Sequence, residues 1–146
     1  MNLEGGCLCG AVRYKFSGEP FRHVICHCRD CQRASGSAFH VGLAIPRSGF
    51  AVTRGELRTF RITGDSGRWI DRSFCPVCGS GILHTLELRG PDFLVIKAGT
   101  LDDPTMVIPT YEIFVRSKMP WVSISGETTK LDEMLPRPSQ AHRPDA

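Results

Sequence analysis

The chain has 146 residues, 41% apolar and 23% charged, with a formal net charge of +3. That length supports one domain with a modest core. The charge is weak and its Lys and Arg residues are scattered, so there is no nucleic-acid footprint, and no apolar run is long enough to cross a bilayer as a helix.

Met1 to Gly6 has neither the basic stretch nor the apolar core of a secretory leader, so the expected location is cytoplasmic. Gly10 to Phe16 alternates apolar and polar residues, which puts Val12, Tyr14 and Phe16 on one face of a half-buried strand. A turn at Gly18-Glu19-Pro20 follows. Phe21 to Cys26 then reads as an extended segment feeding Cys26-His27-Cys28-Arg29-Asp30-Cys31. Asp30 to Ala34 is a candidate helical turn, ended by Ser35-Gly36-Ser37.

Ala38 to Ile45 is extended and closes at Pro46, and Phe50 to Val52 is a short strand. Leu57 to Ile62 alternates again before a loop tip at Thr63 to Gly67. Arg68 to Phe74 leads as a strand into Cys75-Pro76-Val77-Cys78-Gly79-Ser80-Gly81, a tight turn rich in breakers. Ile82 to Leu88 and Phe93 to Ala98 read as a hairpin, Leu101 to Pro104 as a turn, and Thr110 to Val115 as a further strand. No segment keeps helical periodicity over three turns, and there is no internal repeat. The expected fold is all-β, as one domain over residues 1–136, with the polar, proline-bearing residues 137–146 as a disordered tail. Trp69, Phe74, Phe93 and Trp121 are assigned to the core.

Cysteine is the unusual feature. There are seven, an odd number, and all fall in tight clusters. In a reducing compartment such clusters read as metal ligands before disulfides. A Cys-x-Cys pair on a strand presents two thiolates to one side. A Cys-x-x-Cys turn does the same, and the glycine after it frees the backbone to aim amides at sulfur. The simplest partition joins Cys7 and Cys9 to Cys75 and Cys78 in a closed four-thiolate zinc site, with Zn–S distances of about 2.3 Å. Such a site clips the first strand to the middle of the chain across a long loop, and metal binding there is part of folding. The alternative is four free structural cysteines.

Cys26, Cys28 and Cys31 remain. Cys26 and Cys28 share a face at a strand end, and a chain turning into a helix returns Cys31 to Cys28. Three protein ligands leave a fourth zinc position open, as in catalytic sites. Three thiolates damp the Lewis acidity of zinc but suit a further sulfur ligand, which points to a small thiol or its adduct. The competing reading is a second structural site completed by His27, His23 or Asp30. His27 lies between two ligands on a strand and points to the opposite face.

Arg33 and Ser35 follow the cluster and are in reach of a substrate carboxylate or a thiolate, but read first as structural or solvated. His40 and His84 read as satisfied surface or core histidines, although His40 is in reach of a pocket beside the second site. Arg68, Arg72 and Arg116 either offset the charge of thiolate-bound zinc or lie on the strand surface. No Ser-His-Asp order, phosphate loop or dinucleotide-binding glycine pattern is present.

Gly5-Gly6-Cys7-Leu8-Cys9-Gly10-Ala11-Val12-Arg13-Tyr14, Cys26-His27-Cys28-Arg29-Asp30-Cys31-Gln32-Arg33-Ala34-Ser35-Gly36 and Arg72-Ser73-Phe74-Cys75-Pro76-Val77-Cys78-Gly79-Ser80 resemble the glutathione-dependent formaldehyde-activating enzyme family, which includes centromere protein V. Gly99-Thr100-Leu101-Asp102-Asp103-Pro104 and Pro120-Trp121 are similar to it as well, so the likeness spans residues 5 to about 136. The resemblance implies a zinc-bearing fold of antiparallel sheets, the β-tent, with the same four-plus-three division of cysteines. It implies condensation of formaldehyde with glutathione to S-hydroxymethylglutathione, a carbon–sulfur lyase activity, and assigns no glutathione-binding residue on this chain. The expected function is therefore a zinc-dependent carbon–sulfur lyase acting on a small thiol–aldehyde adduct. The alternative is a non-catalytic zinc module for protein or nucleic-acid interaction. A basic arm would favour that alternative, whereas the C-terminal segment mixes Arg137 and Arg143 with Asp132, Glu133 and Asp145.

Overall fold

The computed structural model describes residues 1–135, and the expected tail at 137–146 lies outside them. The chain forms β1 (Asn2–Gly6), β2 (Arg13–Ser17), β3 (Arg22–Cys26), α1 (Arg29–Ser35), β4 (His40–Pro46), β5 (Phe50–Arg54), β6 (Arg58–Thr63), β7 (Trp69–Phe74), β8 (Gly81–Leu86), β9 (Phe93–Lys97), β10 (Tyr111–Ile113) and β11 (Thr129–Leu131). Short 3-10 turns link several of them. The fold is all-β, as expected, and its one α-helix makes two turns over Arg29–Ser35 where a single turn at Asp30 to Ala34 is expected from the sequence.

Two sheets result. One has the order β1-β2-β5, the other β11-β10-β3-β4-β9-β8-β7-β6. Pairing is antiparallel throughout except at β10, which runs parallel to both β3 and β11. β1 had no strand signal, because its sequence carries two glycines and no β-branched residue. It forms because β2 offers a complete partner, from Asn2↔Ser17 to Gly6↔Arg13. One of those glycines is required. A Cβ on Gly5 would lie 2.3 Å from the Tyr14 hydroxyl and 2.4 Å from the Thr100 carbonyl oxygen. The bare backbone lets the buried Tyr14 cross β1 and hydrogen-bond Thr100 Oγ1 at 2.8 Å.

The period of two along each strand separates a core from a cavity. On β4, Leu43 and Ile45 point toward Tyr14 and Phe16 of β2, joined there by Leu94 and Ile96 of β9. The alternate residues, His40, Gly42 and Ala44 on β4 and Phe93 and Val95 on β9, line a cavity of about 440 Å³ on the opposite face. Trp121 departs from its expected place in the core. It is 74% exposed, because Pro120 and Trp121 lie on a turn beyond the last sheet contact of β10.

Candidate metal centres

The first cluster is built from two turns. Cys7 and Cys9 lie in the connection between β1 and β2, where Cys7 N–H donates to the Val12 carbonyl and Gly10 N–H to the Cys7 carbonyl. The expected strand presentation of this pair is thus replaced by a tight turn, closed by Gly10 at φ +76°. Cys75 and Cys78 occupy the turn between β7 and β8. Gly79 N–H returns to the Cys75 carbonyl at 2.9 Å, and Gly79 itself adopts φ +76°. All four sulfurs lie within 4.8 Å of one another, so the expected closed set is brought together.

Backbone amides point at these sulfurs. Val12 N–H donates to Cys7 Sγ at 3.2 Å and Val77 N–H to Cys75 Sγ at 3.4 Å. Ser80 is a further member of this site. Its hydroxyl accepts from Leu8 N–H at 3.1 Å and lies 3.2 Å from Cys78 Sγ, bridging the two turns. Hydrogen bonding from Ser80 draws the Cys78 thiol down to about 5. Its place two residues after Cys78, at the end of the stretch that carries the family resemblance, is the sequence signal for this role.

The second cluster is Cys26, Cys28 and Cys31, whose sulfurs also lie within 4.8 Å of one another. Cys26 ends β3. Cys28 caps α1 in an extended conformation, and its sulfur accepts from the Cys31 amide at 3.4 Å. Gln32, on the buried side of α1, fixes the helix by donating to the carbonyls of His27 at 2.7 Å and Ser117 at 2.9 Å. The crowding of three sulfurs makes one of them ionise first. Hydrogen bonds with Cys26 and Cys28, aided by Arg72, hold Cys31 at about 3, whereas those with Cys28 and Cys31 push Cys26 far up. Three sulfurs this close cannot all carry charge without a cation among them, and a soft divalent ion matches the donor set. Either cluster can hold a metal ion.

The other proposed ligands lie elsewhere. His27 turns away from the cluster to Glu112. His23 Nδ1 accepts from Ile108 N–H at 3.0 Å. Asp30 lines the cavity without joining the sulfurs, and among the described residues the two cysteine groups are the ones that could hold a metal ion. Of Arg68, Arg72 and Arg116, Arg72 reaches the cluster, with Nη2 3.9 Å from Cys31 Sγ, while Arg116 pairs with Glu133 at 3.4 Å.

Cys26, Cys28 and Cys31 open on the cavity, and the first cluster does not. Cavity walls are mainly apolar, with Ile70, Leu86, Phe93 and Val95 among them. His40 and His84 correct the expectation of satisfied histidines. Both are buried, their rings are 5.2 Å apart, and His40 Nε2 and His84 Nδ1 have no hydrogen-bond partner. Burial first, then the positive charge of Lys97 and Arg72, pushes His40 down to about 3. Burial and the neighbouring His40 likewise push His84 well below the usual histidine value.

A family model described as glutathione-dependent formaldehyde-activating enzyme matches residues 2–117. Among curated proteins, one from Halomonas elongata, named "Putative glutathione-dependent formaldehyde-activating enzyme", is 32% identical over 135 residues, covering 86% of this chain and 83% of the relative. Among solved structures, the crystal structure of a Rhodobacter sphaeroides protein aligns with a TM-score of 0.54 at 23% identity, over 68% of this chain and 87% of that one. At that identity the likeness speaks for the fold alone.

Proposed function

The chain belongs to the glutathione-dependent formaldehyde-activating enzyme family, and from that premise we propose that it is a zinc-dependent enzyme making or breaking a carbon–sulfur bond in a small thiol–aldehyde adduct. The adduct is of the S-hydroxymethylglutathione type, and the reaction class is that of a carbon–sulfur lyase. In this reading Cys7, Cys9, Cys75 and Cys78 hold a structural zinc, and Cys26, Cys28 and Cys31 hold a second one at the reacting site. One observation carries it: the three-sulfur cluster opens on the cavity and the four-sulfur cluster lies outside it. A set of three thiolates leaves room for a substrate donor, whereas a set of four is complete.

Zinc at the three-sulfur site would supply a soft positive charge that favours a thiolate and polarises an aldehyde oxygen. The chain's own part is to hold the two reactants together and to exclude water. Cys28 and Cys31 are held by the cap of α1, and Arg72 sets a positive charge against Cys31. The apolar walls keep an aldehyde carbon from water. In the condensing direction the thiol loses its proton, its sulfur bonds to the carbonyl carbon, and the π pair moves to oxygen. That oxygen then takes a proton from solvent, and cleavage is the reverse. Seven cysteines committed as reduced ligands suit the cytoplasm.

Metal analysis joined to thiol titration tests the reading. Two zinc ions per chain are expected, one of which yields to chelator first. In cobalt-substituted protein, glutathione or 2-mercaptoethanol should alter the thiolate-to-cobalt spectrum of that site alone. If both ions are equally inert and no thiol perturbs either spectrum, the catalytic reading fails and a non-catalytic zinc module replaces it.

A further inference from the structure

Five buried nitrogens beside the three-sulfur site have no hydrogen-bond partner: His40 Nε2, His84 Nδ1, Arg72 Nε and Nη1, and Lys97 Nζ. Strand register collects them. His40 stands opposite Cys26, Lys97 opposite Gly42, and Arg72 opposite His84. Two glycines give them room. A Cβ on Gly42 would lie 2.8 Å from His40 Nε2, and one on Gly81 would lie 2.7 Å from Lys97 Cε. Two of the four residues are cations, and no carboxylate is paired with either among the described residues.

Buried donors without acceptors are costly, and a buried cation without an anion more so. Cys31 answers one nitrogen of Arg72, at 3.9 Å. The remaining donors are complementary to an oxygen that carries negative charge. Such an oxygen exists in the proposed reaction, two bonds from the sulfur. A substrate sulfur seated among Cys26, Cys28 and Cys31 therefore places its adduct oxygen next to Arg72.

We infer that Arg72, Lys97, His40 and His84 form an oxyanion subsite that receives the aldehyde-derived oxygen of the adduct. The inference rests on the carbon–sulfur reading of the site. As the C–S bond forms, the carbonyl π pair moves onto this oxygen, where fixed donors in an apolar surround stabilise the growing charge before solvent delivers the proton. Each imidazole keeps at least one ring N–H to donate, whichever its protonation state. A carboxylate on the thiol has the same oxygen chemistry, and the experiment separates the two sources.

The probe is sodium formate, titrated into the zinc-loaded protein and followed by histidine ring NMR. Formate should move the His40 and His84 signals, and Arg72→Leu should weaken its binding about tenfold or more, with part of the loss restored in Arg72→Lys. Unmoved histidine signals in the wild type overturn the subsite without recourse to any variant. So does formate binding that Arg72→Leu leaves intact. Cleavage of the formaldehyde adduct of 2-mercaptoethanol, which has no carboxylate, locates the oxygen. A fall in kcat/KM for this adduct as large as for the glutathione adduct supports the inference. A fall confined to glutathione assigns the donors to the thiol's carboxylate and overturns it. Thiol access to the metal is read independently in the cobalt protein, so formate binding can fail while the reaction stands.

Discussion

His27 Nε2 lies 3.0 Å from Glu112 Oε2, and neither side chain is exposed to solvent. The pair anchors the loop between Cys26 and Cys28 to β10. It explains why a histidine flanked by two clustered cysteines is absent from their cluster. Glu112 also accepts from Lys118 Nζ at 2.7 Å and Thr128 Oγ1 at 2.6 Å, so three donors from three segments converge on one buried carboxylate.

Acid should dismantle this anchor. Burial alone would raise the Glu112 carboxyl, but the bonds from Lys118, Thr128 and His27 outweigh it and hold the group at about 2. A depressed carboxyl contributes stability that is present above its ordinary unfolded value and lost as the pH falls toward its folded value. Glu112→Gln should cost about 2–4 kcal/mol at neutral pH, as expected for breaking a buried charged network. The difference from wild type should shrink between an ordinary glutamate value of about 4.5 and about 2. Urea unfolding of both proteins across that range measures it, and a gap independent of pH would sink the idea.

The two cysteine clusters should respond differently to serine substitution. Cys75→Ser removes a fully buried sulfur, the proposed ligand that joins turns 66 or more residues apart, so the circular dichroism of the native β fold should be lost. Structural zinc contributes about 10–16 kcal/mol in small zinc-folded peptides, more than a domain of this size has to spare. Cys31→Ser should fold and melt cooperatively with one zinc fewer. Loss of folding in Cys31→Ser together with a folded Cys75→Ser would reverse the assignment of the sites.

Gly5→Ala should be far worse than its chemistry suggests. The added methyl meets the Tyr14 ring and the Thr100 backbone at under 3.0 Å, and neither can move without disturbing the core. A loss of about 2–4 kcal/mol is expected from overpacking. Tyr14→Phe keeps the ring and removes only the bond to Thr100, so it should cost about 1 kcal/mol. Thermal melts of the two variants compare them directly, and similar midpoints would refute the steric account.

Trp121→Ala should leave stability within about 0.5 kcal/mol of wild type, because the indole is largely exposed and an exposed side chain has little packing to lose. A drop of several degrees in the melting midpoint would show that the ring is covered in solution.

Much of this molecule was determined by local sequence alone. Cysteine spacing is a local property, so Cys75-Pro76-Val77-Cys78-Gly79 specifies its own turn, and Cys28 to Cys31 specifies a helix cap that brings two sulfurs together. The alternation at Tyr14 and Phe16 likewise reports a half-buried strand wherever that strand lands. Pairing partners are not local. β1 has no strand signal of its own and exists because β2 accepts it, and Trp121 has the composition of a core residue at a position no sheet covers. The same holds for His40, His84, Arg72 and Lys97, which stand on four different strands and look unremarkable one at a time. Only the register of β3, β4, β9, β8 and β7 sets them in one band beside Cys26, Cys28 and Cys31, because hydrogen bonding between strands fixes which side chains share a face across the sheet.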